Sequence, residues 1–211
     1  MSASFKAFIG AVAGAVTLAA CGAGQPSFDS VDITGADFGR ELDLTDHTGA
    51  RRTLADFKGK AVVVFFGYTR CPDVCPTTLA EMKLVRAKLG ADGDRLQVLF
   101  VTIDPERDTP ELLANYVPAF DPSFLGLYGD AEATARTARE FKVFYEKVPG
   151  PTPDGYSMDH TAGSYIYDPQ GRLRLFAKLG QAPDALAHDI ELLLGNAPKR
   201  APSVTSALSG P

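Results

Sequence analysis

The sequence contains few of the residues that carry redox and metal chemistry, with three cysteines and three histidines among 211 residues. It also lacks a stripe of lysine and arginine, and its net charge is −5, so its electrostatics give no support for nucleic-acid binding. No internal repeat is present. The 45% hydrophobic content fits one globular domain with short appendages.

An apolar stretch of small residues near the N-terminus, Ala7–Ala20, is too short to span a membrane comfortably, since about 20 apolar residues are usually needed. Lys6 supplies the only side-chain charge before it, as in an export signal. The run Leu18–Gly22 then matches a bacterial lipobox, in which small residues precede a cysteine that becomes lipidated. We predict a lipoprotein signal peptide over residues 1–20 and a lipid on Cys21 that anchors the protein to a membrane, facing the periplasm. An uncleaved anchor and cleavage elsewhere remain alternatives.

Composition divides the rest of the chain into a tether, a domain and a tail. Residues 21–37 are small, polar and aperiodic, which is typical of a flexible tether, and residues 196–211 have the composition of a disordered tail. Apolar periodicity and turn residues predict strands at Glu41–Thr45, Arg51–Leu54, Ala61–Phe66, Leu96–Ile103, Leu125–Tyr128, Gly163–Tyr167 and Arg172–Ala177, and helices at Pro76–Leu89, Thr109–Pro118, Ala131–Glu140 and Pro183–Leu194. This order predicts an α/β, thioredoxin-like fold over residues 38–195, with an N-terminal β-hairpin and an inserted segment.

Cys71 and Cys75 follow the apolar run Ala61–Phe66, so a buried strand is expected to end by presenting two thiols at the start of the next helix. Once Cys21 carries lipid, these two are the remaining pair in an oxidising compartment. A disulfide between them would close only a small loop and stabilise the fold little, which favours a functional purpose. Helix N-termini favour anions, so we expect a thiol there to ionise more easily. The pair can exchange electrons or hold a soft metal ion.

Two thiolates leave a soft metal under-coordinated, and a histidine or methionine is the expected third ligand. His160 is the favoured candidate, because the segment that enters the strand Gly163–Tyr167 passes close to the cysteine loop of a thioredoxin-like domain. His47 is expected to be solvent-exposed in a hairpin turn, and His188 to lie at the surface or core edge of the last helix. Asp159 is predicted to orient the His160 ring. This set suits Cu(I) or Cu(II), whereas structural zinc would need a fourth protein ligand that the sequence does not offer.

Three motifs follow one another along the chain: Gly67–Leu79 (GYTRCPDVCPTTL), Val101–Glu111 (VTIDPERDTPE) and Asp159–Thr161 (DHT). Together they resemble the Sco/SenC family, and the resemblance covers Phe38–Leu194, nearly the whole of the predicted mature domain. It implies a thioredoxin-like, membrane-attached protein that faces the periplasm or the mitochondrial intermembrane space.

The same resemblance implies that Cys71, Cys75 and His160 bind copper and that the protein helps to assemble the binuclear copper centre in subunit II of cytochrome c oxidase. Its partners would be that subunit and other periplasmic copper chaperones or thiol reductants. Asp104 and Asp108 belong to the second motif, and we expect them to cap turns and the next helix rather than to bind metal.

Two other functions use the same cysteines. A thiol–disulfide oxidoreductase would keep the oxidase cysteines reduced through a mixed disulfide with Cys71 or Cys75, and His160 would be dispensable for that step. A thiol peroxidase is disfavoured, because Pro72 stands where the spacing from Thr69 would place the peroxidatic cysteine. The chaperone and the oxidoreductase remain the two principal hypotheses.

Overall fold

The computed structural model describes residues 27–152 and 155–196. The predicted signal peptide, Cys21 and residues 197–211 of the predicted tail lie outside these ranges. Within the described residues, no helix combines the length and the apolar composition that crossing a bilayer would require.

Strands and helices alternate through the described residues. The strands are β1 (Val31–Asp32), β2 (Asp43–Asp46), β3 (Arg51–Thr53), β4 (Ala61–Gly67), β5 (Leu96–Thr102), β6 (Leu125–Tyr128), β7 (Tyr145–Val148), β8 (Ser157–His160), β9 (Gly163–Tyr167) and β10 (Leu173–Lys178). The α-helices are α1 (Val74–Leu89), α2 (Pro110–Tyr116), α3 (Ala131–Glu140) and α4 (Pro183–Leu193). Eight of these strands form one sheet in the order β1-β10-β9-β4-β5-β6-β2-β3, while β7 pairs with β8 alone. The predicted α/β class is confirmed.

The centre of the sheet is formed by β4 and β5, which are buried at every position. The two strands run parallel and are connected through α1, while β9 lies antiparallel on the other side of β4. A strand with paired neighbours on both sides and helices over its faces needs apolar side chains throughout, which explains the unbroken apolar run. The end of β4 leads directly into the cysteine loop and the start of α1.

Neighbouring side chains of β4 point to opposite faces of the sheet, as strand geometry requires. Phe65 lines a small gap together with Met82 of α1 and Leu186 of α4, and these two helices pack against each other. The ring of Phe66 instead lies 5.1 Å from the ring of Phe141, which follows α3. The core is therefore double, with one apolar layer on each face of the sheet.

Two pairs of strands lie outside this centre. The predicted N-terminal hairpin is confirmed, because β2 pairs antiparallel with β3 and also with β6, so that β3 forms one edge of the sheet. A second pair, β7 and β8, has Tyr145 directly opposite His160, and we call it the histidine ribbon. The segment before Gly163 therefore forms a strand of its own rather than only an entrance to β9.

The tether predicted for residues 21–37 is wrong for its described part, residues 27–37. In this segment β1 pairs antiparallel with β10 at the edge of the sheet. The backbone N–H groups of Asp29 and Ser30 donate to the carboxylate of Asp189 at 2.7 and 2.8 Å, and this carboxylate is fully buried in α4. The domain accordingly begins before Phe38.

Candidate metal centre

The junction between β4 and α1 places the two cysteine side chains together. The N–H of Cys71 donates to the carbonyl of Tyr68 at 3.2 Å, which turns the chain towards the helix. The N–H of Cys75 then donates to Sγ of Cys71 at 3.4 Å. Asp73 precedes the helix, but its side chain accepts no capping hydrogen bond from the helix backbone. The Cys71 sulfur thus takes the place of a capping oxygen, at a position where the helix favours negative charge.

The two thiols differ in their access to solvent. Cys75 is fully buried, whereas Cys71 is half-buried, and both are free cysteines. Burial raises the pKa of the Cys75 thiol well above its ordinary value, and a hydrogen bond with Cys71 acts in the same direction. The expectation that the helix N-terminus eases ionisation is therefore wrong for Cys75, because desolvation outweighs the helix dipole. A metal ion that binds this sulfur has to displace its proton.

Gly67 provides the space that the buried thiol needs. A Cβ at this position would lie 2.8 Å from Sγ of Cys75 and 2.9 Å from the ring of Phe100. Both distances are shorter than van der Waals contact, so any larger residue would push the thiol or the ring away. The sequence offered no reason to single out this glycine beyond its place next to the cysteine motif.

A buried carboxylate holds the loop that leads to the cysteines. Asp108 accepts hydrogen bonds from the hydroxyl of Thr69 at 2.6 Å, from its N–H at 3.0 Å, and from the hydroxyl of Thr102 at 2.6 Å. Burial raises the pKa of Asp108 despite these donors. The expectation that Asp108 caps the next helix is wrong, because Thr109 caps α2 by accepting the N–H of Leu112 at 3.2 Å.

His160 lies next to this loop, at the end of β8. Its ring meets the ring of Tyr68 edge-on, with 6.2 Å between the centroids. Its Nδ1 lies 3.0 Å from the carbonyl oxygen of Thr161. A proton on Nδ1 would donate to that carbonyl and leave Nε2 as the nitrogen with a free lone pair, which is how second partners fix the tautomer of a metal-binding histidine.

The three predicted ligands belong to the cysteine loop and to the segment that packs on it, but their ligand atoms do not form one tight cluster. In the described part of the chain, one group of three histidine, cysteine or acidic residues has its ligand atoms all within 4.8 Å of one another. It consists of Asp29, His188 and Asp189. That group has another role, since the Asp189 carboxylate already accepts the two N–H groups that hold the N-terminal segment. Cys71 and Cys75 are in contact with each other, whereas His160 reaches them through Tyr68.

Asp159 is exposed, and it lies directly opposite Glu146 in the histidine ribbon. Because side chains alternate along a strand, its carboxylate points away from the face that carries His160. The polar group within hydrogen-bond distance of the His160 ring is the Thr161 carbonyl instead. The role predicted for Asp159 therefore stays a prediction without a hydrogen bond to support it among the described residues.

The other two histidines lie elsewhere. His47 was expected to be exposed, but it is half-buried, and its Nδ1 accepts the N–H of Gly126 at 3.0 Å. His188 lies on α4, with Nδ1 at 3.1 Å from the carboxylate of Asp29. His47 thus contacts β6, and His188 lies on the last helix. His160 is the histidine that contacts the cysteine loop.

The fold and this site define a class: an α/β domain that presents two thiols at a strand-to-helix junction, with an imidazole held close to the loop. Comparison with known proteins is consistent with that description. The model of the SCO1/SenC family matches residues 31–195 of this chain. The chain therefore belongs to the SCO1/SenC family.

Individual relatives extend this result. The mitochondrial SCO2 homolog of Mus musculus is 40% identical over 133 residues, which are 62% of this chain and 52% of that protein. A SCO2-like protein of Rickettsia felis is 36% identical over 159 residues, covering 75% of this chain and 76% of the relative. The chain thus spans about half the length of the mitochondrial relative and three quarters of the bacterial one.

The solved structure of Bradyrhizobium japonicum ScoI with copper bound has a TM-score of 0.68 and 41% sequence identity. The match covers 75% of this chain and 99% of that chain. The predicted thioredoxin-like fold is confirmed by this similarity.

Proposed function

We propose that this protein binds copper through the sulfur atoms of Cys71 and Cys75 and through Nε2 of His160. The observation that carries the proposal is the junction itself: the two thiols are in contact where the loop enters α1, and the imidazole that packs on Tyr68 of this loop has Nδ1 directed at a backbone carbonyl. The copper-bound relative at 41% identity supports the choice of metal. Two thiolates and an imidazole form a ligand set that suits Cu(I) and, with a further oxygen ligand, Cu(II).

Copper is the cargo in this proposal and is passed on by ligand exchange. The acceptor is the binuclear copper centre in subunit II of cytochrome c oxidase, which membership of the family suggests. The half-buried Cys71 and the imidazole at the end of a ribbon are the ligands that an incoming donor atom can replace. Buried Cys75 releases the ion last, because its sulfur is shielded from solvent.

A lipid on Cys21 places the domain at a membrane surface facing the periplasm in this proposal. The support is the lipobox-like run Leu18–Gly22 in the sequence. Labelling with a radioactive fatty acid tests it, since a Cys21→Ala variant should lose the label and the membrane fraction together.

The copper proposal is tested by titrating the reduced protein with Cu(I) against a chelator of known affinity. We expect one copper per protein, and no binding after Cys75→Ala. For Cu(II), His160→Ala should lower the affinity by at least about tenfold, because an imidazole ligand is lost. His47→Ala is the matched control, since it removes a histidine that contacts Gly126 instead. The proposal fails if the reduced protein takes up no stoichiometric Cu(I), or if His160→Ala and the parent bind Cu(II) equally.

A second function is favoured by the unequal exposure of the two thiols. In thiol–disulfide exchange, the Cys71 thiolate attacks a disulfide of the partner, forms a mixed disulfide and releases one partner thiol. Cys75, whose N–H already contacts Cys71 Sγ at 3.4 Å, then attacks the Cys71 sulfur and releases the second partner thiol. Two electrons pass to the partner, and this chain is left as the disulfide.

Reduction of an oxidised peptide from the copper-binding loop of subunit II tests this function. His160→Ala should reduce it at the parental rate, whereas Cys71→Ala should be inactive. A loss of reduction in His160→Ala would exclude an exchange mechanism that uses the thiols alone.

A further inference from the structure

Arg107 belongs to the second sequence motif and connects two segments that are distant in the chain. Its side chain is only 10% exposed. Nε donates to the carboxylate of Asp104, three residues earlier, and Nη1 donates to the backbone carbonyl of Tyr156 at 2.7 Å. Tyr156 directly precedes β8, so this second bond ties the base of the histidine ribbon to the loop that follows β5.

The Tyr156 side chain closes the connection from the other direction. Its hydroxyl donates to Asp104 at 2.7 Å, and its ring lies 3.5 Å from the guanidinium carbon of Arg107. Each of these three residues therefore contacts the other two: Arg107 forms an ion pair with Asp104 and stacks on Tyr156, and Tyr156 bonds to Asp104. We call this group of three the brace. A planar guanidinium can donate hydrogen bonds in its plane while its face stacks on an aromatic ring, whereas a lysine ammonium has no such face.

The brace also reaches the cysteine loop. The guanidinium carbon of Arg107 lies 5.9 Å from the ring centre of Tyr68, within the range of a cation–π contact. The ring of Tyr68 also packs edge-on against the ring of His160. One residue of the loop is thus in contact with both the brace and the imidazole.

Fold stability alone does not account for Arg107. Among the described residues, its buried Nη2 has no hydrogen-bond partner, and an unmade hydrogen bond of a buried charged group is costly. An apolar side chain would avoid that cost, but it would leave the buried Asp104 carboxylate without its cation. What Arg107 does provide is a fixed orientation of Tyr156. Because β8 begins at the next residue and ends at His160, the orientation of Tyr156 affects the position of His160.

We propose that Arg107 is a positioning residue for the His160 imidazole, acting through Tyr156 and the ribbon, and that it tunes the preference of the site between Cu(II) and Cu(I). This inference rests on the proposed copper function. Cu(I) is soft and can be held by the two thiolates, whereas Cu(II) prefers nitrogen and oxygen ligands and depends on the imidazole. Loosening the ribbon therefore weakens Cu(II) binding selectively.

The test compares Arg107→Met with the parent in Cu(II) and Cu(I) competition titrations of the full domain. We expect the Cu(II) affinity to fall by about tenfold or more, as for other groups that orient a metal ligand. The Cu(I) affinity should change less than about threefold, and the nitrogen hyperfine coupling in the electron paramagnetic resonance spectrum of bound Cu(II) should weaken. Arg52→Met is the matched control, because Arg52 bonds a buried carboxylate, Asp46, at 2.7 Å in the hairpin at the sheet edge.

The decisive comparison adds Arg107→Met to His160→Ala. If Arg107 acts through the imidazole, the second substitution causes no further loss of Cu(II) affinity. A further tenfold loss, or equal losses for Cu(I) and Cu(II) in the single variant, would overturn the inference. Where Arg107→Met does not fold, Arg107→Lys decides in the same way, because an ammonium keeps the charge beside Asp104 but cannot both bond the Tyr156 carbonyl and stack on its ring. If His160→Ala binds Cu(II) as the parent does, the copper function itself fails, and the inference with it.

Discussion

Replacing Gly67 by alanine tests whether the cysteine loop is as closely packed as the structure indicates. The added methyl would lie 2.8 Å from Sγ of Cys75 and 2.9 Å from the Phe100 ring, whereas ordinary contact begins near 3.4 Å. Neither neighbour can retreat easily, because the thiol is fully buried at the start of α1 and Phe100 is fully buried in β5. Overpacking of this kind typically costs about 1–3 kcal/mol.

The effect on metal binding follows from the same displacement. A metal site tolerates errors of about 0.2 Å in its ligand distances, and moving Cys75 Sγ from 2.8 Å to ordinary contact exceeds that tolerance. We therefore expect Gly67→Ala to unfold at a lower urea concentration and to bind Cu(I) more weakly than the parent. Urea unfolding followed by circular dichroism and the chelator titration measure the two effects separately.

Gly126→Ala provides the control for general overpacking. Its added methyl would meet Val117 at 3.1 Å and Leu113 at 3.2 Å, in β6 and away from the thiols. This variant should lose some stability but keep the parental Cu(I) affinity. The reasoning is refuted if Gly67→Ala matches the parent in both measurements, or if both glycine variants lose copper affinity equally.

Two further substitutions test buried carboxylates. Burial alone would raise the pKa of Asp46, but hydrogen bonds from Thr48 and Arg52 lower it to about 2. Because the pKa of Asp46 is lowered, its ionised form stabilises the fold above pH 3.8, and this contribution falls by about 2 kcal/mol between pH 4 and pH 2. In urea titrations, Asp46→Asn should therefore lose about that much less stability than the parent over this interval. Thr69→Val removes a hydroxyl donor from buried Asp108 and should cost about 1–3 kcal/mol, so equal urea midpoints for variant and parent would contradict that contact.

Local patterns in the sequence were sufficient for most of the elements. The predicted helix Ala131–Glu140 has the bounds that the structure shows, because Asp130 caps it by accepting the N–H of Ala133. The helix after the cysteines begins at Val74 rather than at Pro76. Proline is tolerated throughout the first turn, where N–H groups have no partner within the helix, so its position does not fix the first residue.

Long-range contacts were not predictable in this way. The segment around Asp29 looks like a tether because its own residues are polar, and its partner Asp189 lies on the last helix. The bond between Thr69 and Asp108 and the bond between Arg107 and Tyr156 likewise join segments far apart in sequence. A window of neighbouring residues carries no information about such partners, so the sequence could suggest candidate ligands but not the contacts that hold them in place.

The second motif gains an explanation from these contacts. It contributes no side chain to the proposed copper site, yet within the described residues two neighbouring residues of the motif bond to the two segments that carry the proposed ligands. Asp108 bonds the loop that carries the thiols, and Arg107 bonds the base of the ribbon that carries the imidazole. Burial raises the pKa of the Asp108 carboxyl, which means that burying its ionised form costs desolvation free energy. The short segment after β5 is thus bonded both to the loop that carries the thiols and to the base of the histidine ribbon, so we expect substitutions in it to change how the proposed ligands meet a copper ion.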